Sequence, residues 1–191
     1  MKKYSDGLAT DEDDITPGLL GNLDAEFKET IGSIKWSSSV LRHRRGIASE
    51  EKQLGADLII HVSLETSAHS YSKGVFVQAK RNESGQKMTK AERAELTGQC
   101  QSMAKVTASA FIFNYTKQSM RVGSVSKIGG SNVMDLYSNC DWTSYRFFLE
   151  LFRCPIGDSR IYSASSKAYL EPSIILLSGK ESDSIRRSRL R

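Results

Sequence analysis

The sequence predicts a single mixed α/β domain, a central β-sheet with helices packed on it, and three observations carry that expectation. Two short β-branched runs, Asp57–Leu64 and Gly74–Lys80, lie one after the other. An amphipathic stretch with an N-terminal capping signal, Thr89–Thr107, follows them and leads into a third apolar run, Ala110–Tyr115. Strands alternating with helical patterns point to one sheet covered by helices.

At 191 residues, 39% hydrophobic and 26% charged, the chain can bury a core and is not a polar disordered one. Its apolar run at Ser173–Leu177 is far too short to cross a bilayer, which takes about 20 residues, so no membrane association is expected. Met1-Lys2-Lys3 leads into Asp6 and Gly7 rather than an apolar run, so no secretory signal is expected either. Cys100, Cys140 and Cys154 fit neither a disulfide framework nor a zinc site, which predicts a reduced, cytoplasmic protein.

The elements follow in order. Residues 1–18 read as a mobile acidic leader closed by Thr16-Pro17-Gly18, a turn signal. From Leu19 to Leu41, Leu23, Phe27, Ile31 and Ile34 recur at helical spacing and predict a first helix. Asp57–Leu64 and Gly74–Lys80 are strands, with a polar loop at Glu65–Lys73 between them. Gly74–Lys80 is apolar on both faces until Gln78, as in the middle of a sheet. Thr89 with Glu92 forms a capping box, so a helix should run to Thr107 with Leu96, Cys100, Met103 and Val106 on its buried stripe. Ala110–Tyr115 and Met120–Ile128 are further strands, Asp141–Arg153 a helix, and Ile174–Leu177 a last strand. The domain is expected over residues 19–178, followed by a basic tail at 179–191.

Charge is unevenly distributed. Residues 1–30 carry three lysines against eight acids, and the rest carries 24 basic and 14 acidic residues, a balance of +10. A basic body favours a polyanionic partner through phosphate contacts.

Polar residues stand where the strand pattern predicts none. Asp57 opens one strand, and Gln78 and Lys80 close the next on a shared face, two residues apart. If the strands pair as a hairpin, the start of one lies beside the end of the other, and all three meet at one edge of the sheet. Asp57, the Gln78 oxygen and the Ala79 carbonyl are hard ligands suited to Mg²⁺. Lys80 is placed to stabilise an attacking hydroxide or charge developing on phosphorus.

With Gly55-x-Asp57 on one strand and Gln78-x-Lys80-Arg81 ending the next, the chain resembles the PD-(D/E)xK nucleases. These are the restriction-endonuclease-like enzymes, and the likeness is to the QxK variant of Mrr-like and defence-system nucleases. The resemblance implies an αβββαβ core over residues 19 to 116. It further implies a Mg²⁺-dependent endonuclease (Mn²⁺ substituting) that hydrolyses DNA phosphodiester bonds in restriction or phage defence. Ala56 stands where the family has proline, and Gln78 replaces its second acid, which weakens metal attraction. Families of this type also draw an acid from upstream, for which Glu26 and Glu51 are the candidates. Gln99 sits where related nucleases place a glutamine that supports the site or touches the substrate. Arg42, Arg44, Arg45, Arg81, Lys87 and Lys90 flank the site in sequence and become phosphate contacts to duplex DNA. Specificity is then left to the Glu65–Lys73 loop, a homodimer or a partner protein. The competing expectation is an inactive subunit that keeps the fold and binds nucleic acid or a partner protein, motivated by Gln78.

Overall fold

A computed structural model describes residues 12–27, 30–31, 34–41, 54–130, 135–153, 155–161 and 173–182. Its centre is a mixed eight-stranded sheet with strand order β1-β2-β8-β3-β4-β5-β6-β7. The strands are β1 (Thr30–Ile31), β2 (Ile34–Leu41), β3 (Leu58–Glu65), β4 (Ser70–Arg81), β5 (Ala110–Tyr115), β6 (Met120–Ser124), β7 (Trp142–Thr143) and β8 (Ser173–Glu181). Helices α1 (Glu12–Glu26), α2 (Lys90–Val106), α3 (Val125–Gly129), α4 (Leu136–Asn139) and α5 (Ser144–Phe152) accompany it. Among the described residues no helix is long and apolar enough to cross a membrane.

Alternation along the strands sorts the core into two layers. Ile60, Val62, Val75, Val77, Phe111, Phe113 and Ile175 face α1 and α5, which contribute Leu20, Phe147 and Leu151. Phe147 packs edge-on against Phe111 and Phe113, with ring centroids 5.1 and 4.9 Å away. On the other side Ile59, Phe76, Ile112 and Ile174 meet Leu96, Cys100 and Met103 of α2 and Ile128 of α3. Burial pushes the Cys100 thiol up to about 11 and the Cys140 thiol to about 12, as suits core residues rather than nucleophiles. Cys154 lies outside the described residues.

Strands β3 and β4 form an antiparallel hairpin, Leu58 opposite Val77. Helix α2 then carries the chain over to β5, which runs parallel to β4. Thr89 caps α2: its hydroxyl accepts from the Glu92 amide at 3.2 Å while the Glu92 carboxylate accepts from the Thr89 amide at 2.6 Å. Leu96, Cys100 and Met103 are buried as the spacing predicts, and Val106 is half-buried.

Five expectations need correction. The helix expected over 19–41 is α1, which ends at Glu26, and 34–41 is strand β2. Over 34–39 a period of two overrides the helical spacing: Trp36 turns inward while Lys35, Ser37 and Ser39 are exposed. The whole of β2 pairs with β8, and the Ser38 hydroxyl donates to the Asp24 carboxylate at 2.6 Å. The turn expected at 16–18 lies within α1, which contains Pro17. Most of the Glu65–Lys73 loop is strand, and the connection is the turn 66–69, closed by the Thr66 amide donating to the His69 carbonyl at 2.9 Å. Met120–Ile128 switches from strand to helix at Ser124, whose hydroxyl caps α3, and Asp141–Arg153 begins as β7 before Thr143 caps α5.

Residues 155–161 clasp the far end of the β4 hairpin. Gly74 and Asp158 exchange backbone hydrogen bonds of 3.0 and 2.9 Å, and the Asp158 carboxylate accepts from the Thr107 hydroxyl at 2.7 Å and from Arg160 at 2.7 Å. The Arg160 hydrogen bond, aided by Thr107 against the cost of desolvation, holds the Asp158 carboxyl well below the usual carboxylate range. A depressed carboxyl stabilises the fold above its unfolded value of about 3.9, and that contribution disappears as pH falls from there through the folded value. Denaturant titrations between pH 6 and 2 should therefore show an acid-side loss of stability that is smaller in Asp158→Asn; an identical slope in both proteins would contradict this.

Candidate active site

The hairpin register builds the site. The Asp57 amide donates to the Val77 carbonyl at 2.9 Å, one rung beyond the Leu58–Val77 pair, so the start of β3 is tied to the end of β4. One Asp57 carboxylate oxygen, Oδ2, then accepts from the Ala79 amide at 2.9 Å and from the Gln78 side-chain amide. Gln78 Nε2 also donates to the Ala79 carbonyl at 3.0 Å. Gln78 is 4% exposed, whereas Asp57 is exposed. One amide NH₂ thus stands between a carboxylate and a carbonyl, two oxygens that repel each other unless something positive separates them.

Lys80, on the same face as Gln78, reaches α2. Its ammonium lies 3.2 Å from Glu95 Oε1, and Gln99 Nε2 donates to the same oxygen at 3.2 Å. Glu95 and Gln99 are four residues apart and share one side of the helix. Gln99 Oε1 is buried without a hydrogen-bond partner among the described residues. The close approach of α2 to the start of β3 depends on Gly55, whose φ is +73°. A Cβ there would lie 2.6 Å from the Gln99 carbonyl oxygen and 2.8 Å from its Cα. The glycine of Gly55-x-Asp57 is thereby explained sterically: it lets the helix bearing Glu95 and Gln99 come down beside Asp57.

Behind Lys80, fully buried Asn114 of β5 fixes the strand end. Its Oδ1 accepts from the Asn82 amide and its Nδ2 donates to the Asn82 carbonyl, both at 2.8 Å. Lys80 is the register partner of Asn114, so the clamp closes two residues past it.

The structure brings Asp57, Gln78, Ala79, Lys80 and Gln99 into one neighbourhood. Glu26 is elsewhere: α1 packs through Leu19, Leu20 and Leu23 in the layer with Val77 and Ala79, the opposite face from Gln78 and Lys80, and Glu26 is exposed. Glu51, Arg42, Arg44 and Arg45 lie outside the described residues, as does the basic run at 185–191. Arg81, Lys87 and Lys90 are exposed along the connection from β4 to α2. His61, 3% exposed, is a sheet residue with Nε2 2.9 Å from the Ser72 hydroxyl, and burial lowers its pKa. Two residues join the site that the sequence pattern did not single out, Glu95 and Asn114. Glu95 was visible as the residue one helical turn before Gln99, and Asn114 as the polar break in Ala110–Tyr115.

Among the described residues no three His, Cys, Asp or Glu side chains cluster as a metal group. The donors that do converge are oxygens of mixed type: the Asp57 carboxylate, the Ala79 carbonyl and the Gln78 amide. Rotating the Gln78 amide by half a turn places its oxygen where its nitrogen stands, so this set fits a hard divalent cation. The orphaned Gln99 oxygen adds a further acceptor on the facing helix.

The chain matches no protein-family model, no curated protein and no solved structure.

Proposed function

We propose that the protein is a metal-dependent nuclease of restriction-endonuclease-like type that hydrolyses phosphodiester bonds of duplex DNA. The observation that carries this reading is the β3–β4 register, which sets the Asp57 carboxylate against Gln78 and Ala79 with Lys80 two residues on and Glu95 facing it. The path from hairpin through α2 to a parallel β5 agrees with that fold type.

Asp57, the Ala79 carbonyl and the turned Gln78 amide would hold Mg²⁺ or Mn²⁺, with Glu95 as an additional carboxylate. Such an ion neutralises phosphoryl charge and lowers the pKa of water. Lys80 donates to the oxygen that gains charge as the phosphodiester is attacked. Glu95 accepts a hydrogen bond from the incoming water, and Gln99 holds that carboxylate in place. The ion pair between Lys80 and Glu95 is at the surface end of the site, Glu95 being 61% exposed. A pair of this kind is worth about 0–1 kcal/mol, so substrate can part it cheaply.

The test is cleavage of supercoiled plasmid with Mg²⁺ or Mn²⁺, wild type beside Asp57→Asn. An asparagine oxygen can still accept from the Ala79 amide, so the variant should fold and yet fail to cleave, and EDTA should stop the wild type. A second reading has its own support: the Gln78 NH₂ donates to both the Asp57 carboxylate and the Ala79 carbonyl, a self-satisfied arrangement suited to an inactive subunit that keeps the fold to bind nucleic acid or a protein. Folded wild type that neither cleaves nor shows calorimetric Mg²⁺ or Mn²⁺ binding abolished by Asp57→Ala would decide for that second reading.

A further inference from the structure

Four serines stand in register across neighbouring strands. Ser37 of β2 is opposite Ser178 of β8, Ser178 is paired with Ser63 of β3, and Ser63 with Ser72 of β4. Ser63 donates its hydroxyl hydrogen to Ser178 at 3.1 Å. Ser72, at the end of the row, meets a histidine instead: its hydroxyl lies 2.9 Å from Nε2 of His61. His61 is directly opposite Gly74. With no side chain there, the imidazole has room to lean over β4 toward Ser72, and a Cβ on Gly74 would come within 2.5 Å of Ile161. The ring is 3% exposed, whereas Ser72 is exposed. A histidine that needed only a hydrogen-bond partner is served equally well by a buried one. Here the base is sheltered and the hydroxyl it touches is open to solvent.

We propose that Ser72 and His61 form a nucleophile–base pair that takes the acyl group of a small carboxylic ester. Their separation is within the reach of about 2.6–3.2 Å that such pairs need. With the ring hydrogen on Nδ1, Nε2 takes the hydroxyl proton as Oγ bonds to the ester carbonyl carbon. The ester C–O bond then breaks, and the leaving alcohol carries that proton away. Water, giving a proton to the same nitrogen, cleaves the acyl-serine to a carboxylic acid, and the proton returns to Oγ. Burial lowers the pKa of His61 and so keeps the ring neutral, the form that accepts a proton. Ser63, directly opposite Ser72, offers a hydroxyl to the oxygen that gains charge. Ser37, Ser39 and Ser70 on the same face are short and exposed, which leaves a flat polar surface suited to a small ester rather than a long acyl chain. Ser72 precedes Gln78 by about 20 Å of strand, so this centre is separate from the proposed metal site.

The test is incubation of the intact chain with p-nitrophenyl acetate, followed by peptide mass spectrometry. Acetyl should appear on Ser72 about 10²-fold faster than on Ser70, an exposed hydroxyl on the same strand and face. His61→Gln should slow acetylation of Ser72 by a similar factor, read at a temperature where circular dichroism shows the variant folded. Ser72→Ala truncates an exposed side chain and should remove the initial burst of p-nitrophenol. EDTA should change none of these results, so this proposal and the nuclease reading fail separately. Equal rates at Ser72 and Ser70 in the wild type would overturn the proposal without recourse to any variant. A Ser72 rate indifferent to His61→Gln would do the same.

Discussion

Lys80→Ala is expected to slow Mg²⁺-dependent plasmid cleavage by roughly 10²–10⁴-fold while the protein stays folded. The ammonium sits at the end of a central strand, its side chain 17% exposed, and faces Glu95 across 3.2 Å. Removing a partly screened ion pair costs little stability, so a midpoint within a few degrees of wild type separates chemistry from folding. On the proposed nuclease reading, what is lost is a charged donor aimed at the place where phosphate charge would grow. Lys80→Arg should not restore full activity, because a planar fork cannot occupy the position of a compact point charge. Single-turnover cleavage of both variants is the measurement, and an unchanged rate in Lys80→Ala would remove Lys80 from the reaction.

Gly55→Ala should be among the most damaging single-methyl changes in the chain. An L-residue held at φ +73° costs about 1–2 kcal/mol. The added carbon would also press on the Gln99 backbone at 2.6 Å, where no flexible side chain can yield, and overpacking of this kind costs about 1–3 kcal/mol. Together these should lower the midpoint by roughly 4–20 °C. Any Gly55→Ala protein that folds carries α2 displaced from Asp57, so cleavage should fall beyond what lost stability explains. A midpoint equal to wild type in differential scanning calorimetry would mean that the helix does not approach so closely. Gly98→Ala, on the same helix but in open space, is the matched control.

Local signals made the centre of the fold legible. Thr89 and Glu92 are three residues apart and determine their own cap, and Gln78 and Lys80 share a face through the pleat alone. The hairpin needed for Asp57 to meet them follows from two adjacent strands and a short turn. Features made by distant partners were not legible. Leu23 and Phe27 share one side of α1 and the turn that ends it, but Ile31 and Ile34 prolong that spacing by coincidence; pairing with β8, about 140 residues away, places Ile34 in a strand. Glu95 looked like any exposed helical acid because its partner Lys80 lies 15 residues back across a turn. Glu26 belonged to an amphipathic face, but which layer that face would cover depends on how the chain enters the sheet, and periodicity carries no such information.

The Gln78 amide lying between Asp57 and Ala79 has a consequence for how the protein relates to metal in its surroundings. In sites made of several carboxylates, mutual repulsion makes the ion part of the folding reaction. Here an internal dipole already screens the one carboxylate against its neighbouring carbonyl, so the chain assembles without waiting for an ion. On the proposed reading, a metal ion would meet a finished molecule, and its binding would cost the turning of one side chain.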